Sequence, residues 1–333
     1  MTRQQLISAI RSMGSYLCVG LDTDVDKIPR YLRDRYGAKG GSDVRGGTGG
    51  HGGGAYGQGD AGGHGAYGRG DADAVFEFNR QIIDATKEHC VAYKINTAFY
   101  ETLGSKGWEA MERTVEYIPA THFKIADAKR GDIGNTSSRY ARAFFETLAF
   151  DAVTVAPYMG WDSVRPFLEY KDKWTILLGL TSNPGAEDFE LRRVEAGERV
   201  EGSRKIVEAS SKLFSSMVTM WSREEYLYER VLATAMTWGT PDNLMFVIGA
   251  TQGEAFERVR LLTPDHFYLV PGVGAQGAGV GEISRRAMNK DVGLLVNASR
   301  AVIYASNGED FAAAARRIAA GYQAEMQQFL GGA

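Results

Sequence analysis

Residues 127 to 132 read Asp-Ala-Lys-Arg-Gly-Asp, two carboxylates and two cations within six positions. On a β-strand, residues two apart share a face, so Phe123, Ile125, Asp127 and Lys129 line one side, apolar first and charged last. A similar run at 16–22 ends in Asp22, and the run at 90–96 carries Lys94. Any one of these pairs could be an ordinary ion-pair cap on a strand; several charged strand ends together point to chemistry. No histidine is placed to share it. His51 and His64 sit among glycines, while His89, His122 and His266 each precede a strand-like run. The acid-base group expected here is therefore a lysine, because a carboxylate within a few ångström keeps an amine charged.

A second group of residues suits an anion. Gly272-Val273-Gly274-Ala275-Gln276-Gly277 matches GxGxxG after a strand, a weak dinucleotide signal taken alone. It follows the seventh strand-like run rather than the first. Ala278-Gly279-Val280-Gly281 reads as more loop rather than the start of a helix, and no acidic residue ends a following strand to hold a ribose. Asn297-Ala298-Ser299-Arg300 closes the next run, and an arginine there can grip a phosphate with its planar fork. A surface arginine paired with a carboxylate is the plainer alternative.

Eight β-rich runs must position these residues: 16–22, 90–96, 122–129, 152–158, 174–182, 243–251, 267–274 and 294–300. Helical stripes lie between them: Trp108, Met111, Val115, Ile118; Tyr140, Phe144, Leu148; Val164, Phe167, Leu168; Tyr228, Val231, Leu232, Ala235; Phe311, Ala315, Ile318, Tyr322. Alternation of this kind predicts a parallel sheet closed into a (β/α)8 TIM barrel, one α/β domain over 1–333. Such barrels keep their chemistry at the C-terminal strand ends and often hold phosphate in the loops after strands seven and eight. One segment departs from the pattern: 17 of the 34 residues from Gly37 to Gly70 are glycine, and GGHGGGAYGQGDA is nearly repeated as GGHGAYGRGDA. With so little apolar surface it is expected to be a flexible insertion, 37–73, after the first strand.

The bulk composition narrows the partners. Lys and Arg total 38 against 41 Asp and Glu, a net charge of -3, so no basic field draws nucleic acid or an anionic membrane. Cys18 and Cys90 lack metal or redox spacing and read as buried, inert thiols. Arg3 and Arg11 break the apolar character of the first 20 residues, and no 18-residue apolar run follows, so a cytoplasmic protein is expected.

VGLD (19–22), YKIN (93–96) with AFYE, DAKRGDIGNT (127–136), LTSNPG (180–185), VPGVGAQG (270–277) and NASR (297–300), in this order, resemble the orotidine 5'-phosphate decarboxylases, in particular their longer-chain bacterial subgroup. The resemblance spans nearly the whole chain outside the glycine insertion. It implies decarboxylation of orotidine 5'-phosphate to UMP without metal, flavin, pyridoxal or nicotinamide. It also implies a tetrad in which Lys94, Asp127 and Lys129 come from one subunit and Asp132 from its partner in a homodimer. Asp22 would hold the ribose, Ile133 and Thr136 would reach across the interface, and Ser182 would recognise the pyrimidine. Gln276, Arg300 and the backbone of Gly274 and Gly277 would hold the phosphate. Lys129 would stabilise and then protonate the carbanion left at C6. Two rivals remain: a magnesium-dependent β-keto sugar-phosphate decarboxylase sharing DxKxxD, and a non-catalytic nucleotide-binding barrel.

Overall fold

A computed structural model describes residues 1–38, 68–195, 224–251, 253, 255–273 and 279–331. Eight parallel strands close into a barrel: β1 (Leu17–Gly20), β2 (Ala92–Asn96), β3 (Phe123–Arg130), β4 (Ala152–Val155), β5 (Trp174–Leu180), β8 (Leu244–Ile248), β9 (Phe267–Pro271) and β10 (Leu294–Ala298). Each lies within one of the eight sequence runs except β3, which extends one residue past its run to Arg130. Helices cover the outer face, so strands such as LMFVI and LLVNA are buried on both sides and read as continuous apolar runs. Register levels the strand ends: Gly20 pairs with Lys94, Asn96 with Asp127, and Cys18 with Asn297.

The foot of the barrel is sealed by first-position aromatics. Trp174 meets Phe123 and Phe267 edge-on, each at 6.2 Å between ring centres. Arg3, in the helix Arg3–Met13, lies 5.3 Å from the Phe267 ring and donates to the carbonyls of Pro241 and Asp265. These rings close that end of the barrel, and the cavity lined by Asp22, Lys94 and Asp127 lies at the other, C-terminal end. Cys18 and Cys90 are buried free thiols, as expected, and burial pushes Cys90 up to about 12.

Several local expectations are corrected. Residues 280 and 281 are not loop: the helix Val280–Ala287 opens there, capped by Gly279. Packing outweighs its glycine, since Val280, Ile283, Ser284 and Ala287 are buried and the Gly281 N–H donates to Glu325 at 2.9 Å. Trp108 and Ile318 are exposed rather than on the packed stripe. In the helix Gly104–Tyr117 the buried face runs through Gly107, Met111, Thr114 and Val115, because Gly107 lets the backbone close on Tyr100. A Cβ at 107 would lie 1.8 Å from the Tyr100 carbonyl oxygen. The helix Arg69–Thr86 begins inside the range read as insertion, and 39–67 lie outside the described residues. A short antiparallel pair, β6 (Arg193–Glu195) with β7 (Glu224–Tyr226), was not foreseen between β5 and β8.

Candidate active site

Lys94 stands inside β2 and is only 3% exposed. A buried ammonium costs several kcal/mol unless it is paired. Its Nζ donates to Asp22 Oδ1 at 3.2 Å and to Asp127 Oδ2 at 2.9 Å. Burial alone would push Lys94 down, yet the two carboxylates overcome it and hold the amine well above its ordinary value. The same exchange acts on Asp127. Burial works against its charge, but Lys94 first and then Lys129 bring its carboxyl far below the usual range.

Lys129 reaches Asp127 because β3 ends in an irregularity. The pairing of β3 with β4 shifts between Ala126 and Arg130, and Lys129 has φ +47°, a left-handed conformation that costs a lysine about 1–3 kcal/mol. Its N–H donates to Thr154 Oγ1 at 2.8 Å, and Thr154 donates to Asp127 Oδ1 at 3.1 Å. The half-exposed Lys129 Nζ then lies 2.5 Å from the same Oδ1. The outcome is a line of alternating charge, Asp22, Lys94, Asp127 and Lys129, with its last cation turned toward the opening.

A cavity of about 190 Å3 adjoins this line, lined by Asp22, Lys94 and Asp127 together with Gly272, Asn297, Ser299 and Arg300 at the ends of the neighbouring β9 and β10. Gly272 has φ +94°, a conformation open to glycine. Ser182 follows β5 beside Gly272. A Cβ at Gly249 would lie 2.7 Å from the Ser182 N, and one at Gly272 would lie 3.9 Å from its Oγ. Gly274, Gln276 and Gly277 lie outside the described residues. The helix Val280–Ala287 opens just beyond that loop, with its Gly281 N–H given to Glu325 and its Glu282 and Ile283 N–H groups to the Gly279 carbonyl.

Asp132, Ile133 and Thr136 stand apart from the charged line. Asp132 Oδ1 accepts the Ile133 N–H at 2.7 Å, Ile133 is 63% exposed, and Thr136 is exposed. Arg130 points away from the mouth, to Glu101 and the Ala128 carbonyl, over the rings of Tyr140 and Phe144. Its role is to tie β3 to its neighbours.

Sequence reasoning missed the groups that hold these residues. Thr154 is one. Tyr304 is another: its hydroxyl accepts the Asp24 N–H at 2.8 Å and donates to the Asp22 carbonyl at 3.1 Å. Asn79 takes the Thr23 hydroxyl at 2.6 Å and donates to Tyr100 at 2.8 Å, while Tyr100 donates to the Leu21 carbonyl. A polar residue on a buried helical stripe, as Asn79 is, was the one available signal. Glu190 fixes the loop after β5 by accepting the Thr181 N–H at 2.6 Å.

The sequence profile of the Orotidine 5'-phosphate decarboxylase / HUMPS family matches residues 15–318. Over 333 residues the chain is 44% identical to the orotidine 5'-phosphate decarboxylase of Phocaeicola vulgatus, covering 99% of both chains. It is likewise 44% identical over 333 residues to that of Christiangramia forsetii, again covering 99% of both. Among solved structures, the OMP decarboxylase of Leishmania donovani is similar at a TM-score of 0.68 and 29% identity, with 100% of each chain covered.

Proposed function

The chain belongs to the Orotidine 5'-phosphate decarboxylase / HUMPS family, and from that premise we propose how the mouth of its barrel performs the reaction. The chain is a carboxy-lyase that converts orotidine 5'-phosphate to UMP in pyrimidine biosynthesis. When the bond from C6 to the carboxylate breaks, CO2 leaves and the electron pair stays on C6, where no adjacent carbonyl can take it up. Lys129 is the group that meets this charge. Its ammonium stabilises the carbanion as it forms and then gives C6 a proton, so the lysine leaves the step neutral. Asp127 has two tasks: it keeps Lys129 charged before the step and secures Lys94, which in turn orients Asp22 toward the ribose hydroxyls. The observation that carries this reading is the run of ion pairs from Asp22 through Lys94 and Asp127 to Lys129, whose first three members line the same cavity as Arg300.

Arg300, with Gln276 and the backbone of Gly274 and Gly277, takes the phosphate, and Ser182 takes the pyrimidine edge. Binding energy spent on the phosphate, remote from C6, organises and desolvates the reacting centre. Asp132, Ile133 and Thr136 act in the site of a second copy in a cytoplasmic homodimer. Supporting this, Ile133, Tyr158, Met159 and Trp161 expose apolar surface around the Asp132 loop, with Tyr158 90% exposed.

Purified protein given orotidine 5'-phosphate in the presence of a chelator should form UMP, followed by its ultraviolet change. Absence of turnover overturns the reading, and turnover lost only on chelation transfers it to the magnesium-dependent rival. Lys129→Ala and Asp132→Ala should each be inactive, and mixing the two should restore part of the activity. A mixture that stays inactive would mean that each site is built within one chain.

A further inference from the structure

Asn297 is the last buried polar side chain of β10 and lines the cavity between the Asp22–Lys94 pair and Arg300. It is 5% exposed, and its Nδ2 donates to Ser299 Oγ at 3.2 Å. Its Oδ1 is sealed from solvent and accepts no hydrogen bond among the described residues. A buried carbonyl left unpaired costs roughly 1–3 kcal/mol, so a chain that keeps one at a ligand cavity has a use for it. The niche around this oxygen exists because β1 has no side chain at Gly20. A Cβ there would lie 3.2 Å from Asn297 Oδ1 and 1.8 Å from Ser299 Oγ. The Ser299 hydroxyl therefore shares the niche, and one χ1 rotation of that small side chain opens it toward the cavity.

We propose that Asn297 is a specificity residue whose Oδ1 accepts a hydrogen bond from a sugar hydroxyl of the bound ribonucleotide. The chemistry of the position selects this donor. An amide oxygen can only accept, which excludes the phosphate gripped by Arg300. Lys94, on β2 beside β1, is already directed to Asp22 and Asp127. Asp22 follows β1, the strand paired with β10, so a ribose seated on its carboxylate lies beside the end of β10. This inference rests on the ribonucleotide reading above and adds a residue to it.

The test is a cycle between protein and ligand. Affinities of UMP, 2'-deoxy-UMP and 3'-deoxy-UMP are measured calorimetrically for the wild-type chain, Asn297→Leu and Ser299→Ala. In the wild type, loss of one of the two hydroxyls should weaken binding several-fold. In Asn297→Leu that penalty should shrink toward none, whereas Ser299→Ala should keep it. With orotidine 5'-phosphate, Asn297→Leu should raise KM about 3- to 10-fold, the range of one neutral hydrogen bond, and leave kcat within about twofold. The proposal is overturned if neither deoxy analogue binds the wild type more weakly, if folded Asn297→Leu keeps the full penalty, or if Ser299→Ala abolishes it. Failure of the underlying reading looks different, because the wild-type chain would then not turn over orotidine 5'-phosphate at all.

Discussion

Asp127 is the residue on which the charged line depends. It is the shared partner of both lysines, and Thr154 also points at it. In Asp127→Asn the buried Lys94 would keep Asp22 as its carboxylate partner, and Lys129 would lose its ion pair with residue 127. Turnover should fall by at least 1,000-fold, since both the electrostatic and the proton-transfer parts of the step are weakened together. UMP affinity should change far less. Steady-state rates beside calorimetric UMP binding will separate the two, and a variant within tenfold of wild-type kcat would remove Asp127 from the mechanism. At this scale the sequence was informative about Lys94, Asp127 and Lys129, because charge at the end of an apolar strand is a local pattern. It was silent on Thr154 and Asn297, whose importance lies in what they touch.

Two elements hold the Asp22 loop in place. The helix Arg69–Thr86 provides Asn79, and the short helix Ala98–Glu101 provides Tyr100; their side chains join Thr23 to the Leu21 carbonyl. Asn79→Ala leaves the Thr23 and Tyr100 hydroxyls without this buried partner and should cost about 1–3 kcal/mol in denaturant unfolding. Because the loop carries Asp22, KM should rise several-fold while kcat changes little. An unaltered KM would uncouple helix and loop. The same helix bears on the glycine-rich segment. Gly70 packs so closely on the preceding helix, Arg30–Tyr36, that a Cβ would lie 2.3 Å from the Tyr36 carbonyl oxygen. The two ends of the segment therefore lie close together, which favours a short join of Ala38 to Gly68. Deleting 39–67 should leave kcat/KM within about twofold and unfolding stability unchanged or up to about 1 kcal/mol higher, as a shorter loop costs less to close. A large loss of activity would assign that segment a part in the reaction. Glycine content marked the segment in the sequence but not where it stops, since Asp71 and Ala72 repeat its composition while lying buried in a helix.

Across the whole molecule, the charged mouth faces away from a foot where His122 and His266 are both buried, each held below the ordinary imidazole value first by burial. His266 precedes β9, is buried against Phe246 with Arg260 and Arg3 nearby, and has no hydrogen bond to either ring nitrogen among the described residues. Burial first, then the two arginines, bring it down to about 3, with Asp265 opposing. An unfolded chain takes up this proton near pH 6.5, so stability should decline as pH falls below that value, at up to about 1.4 kcal/mol per pH unit for one proton. Asp127, depressed in the folded state, adds stability that is present above about pH 4 and fades below it. Lys94, raised in the folded state, adds stability that is complete below about pH 10 and fades above it. The buried thiols Cys18 and Cys90, raised in the folded state, stay protonated while an unfolded chain loses those protons above about pH 8.5, so the expected plateau spans about pH 7 to 8.5. In His266→Leu the decline between pH 6.5 and 4 should flatten, as denaturant midpoints across pH will show; an unchanged slope would place the titrating group elsewhere. The sequence by itself determined the barrel, the end of it that carries charge and the lysines proposed to perform the chemistry, because periodicity and charge placement are properties of neighbouring residues. Only the tertiary structure decided that Lys94 stands between Asp22 and Asp127, that Lys129 turns left-handed to join them, and that Asn297 lines the same cavity. Partners 72 and 33 positions apart meet through the register of a closed sheet, and no local pattern encodes that register.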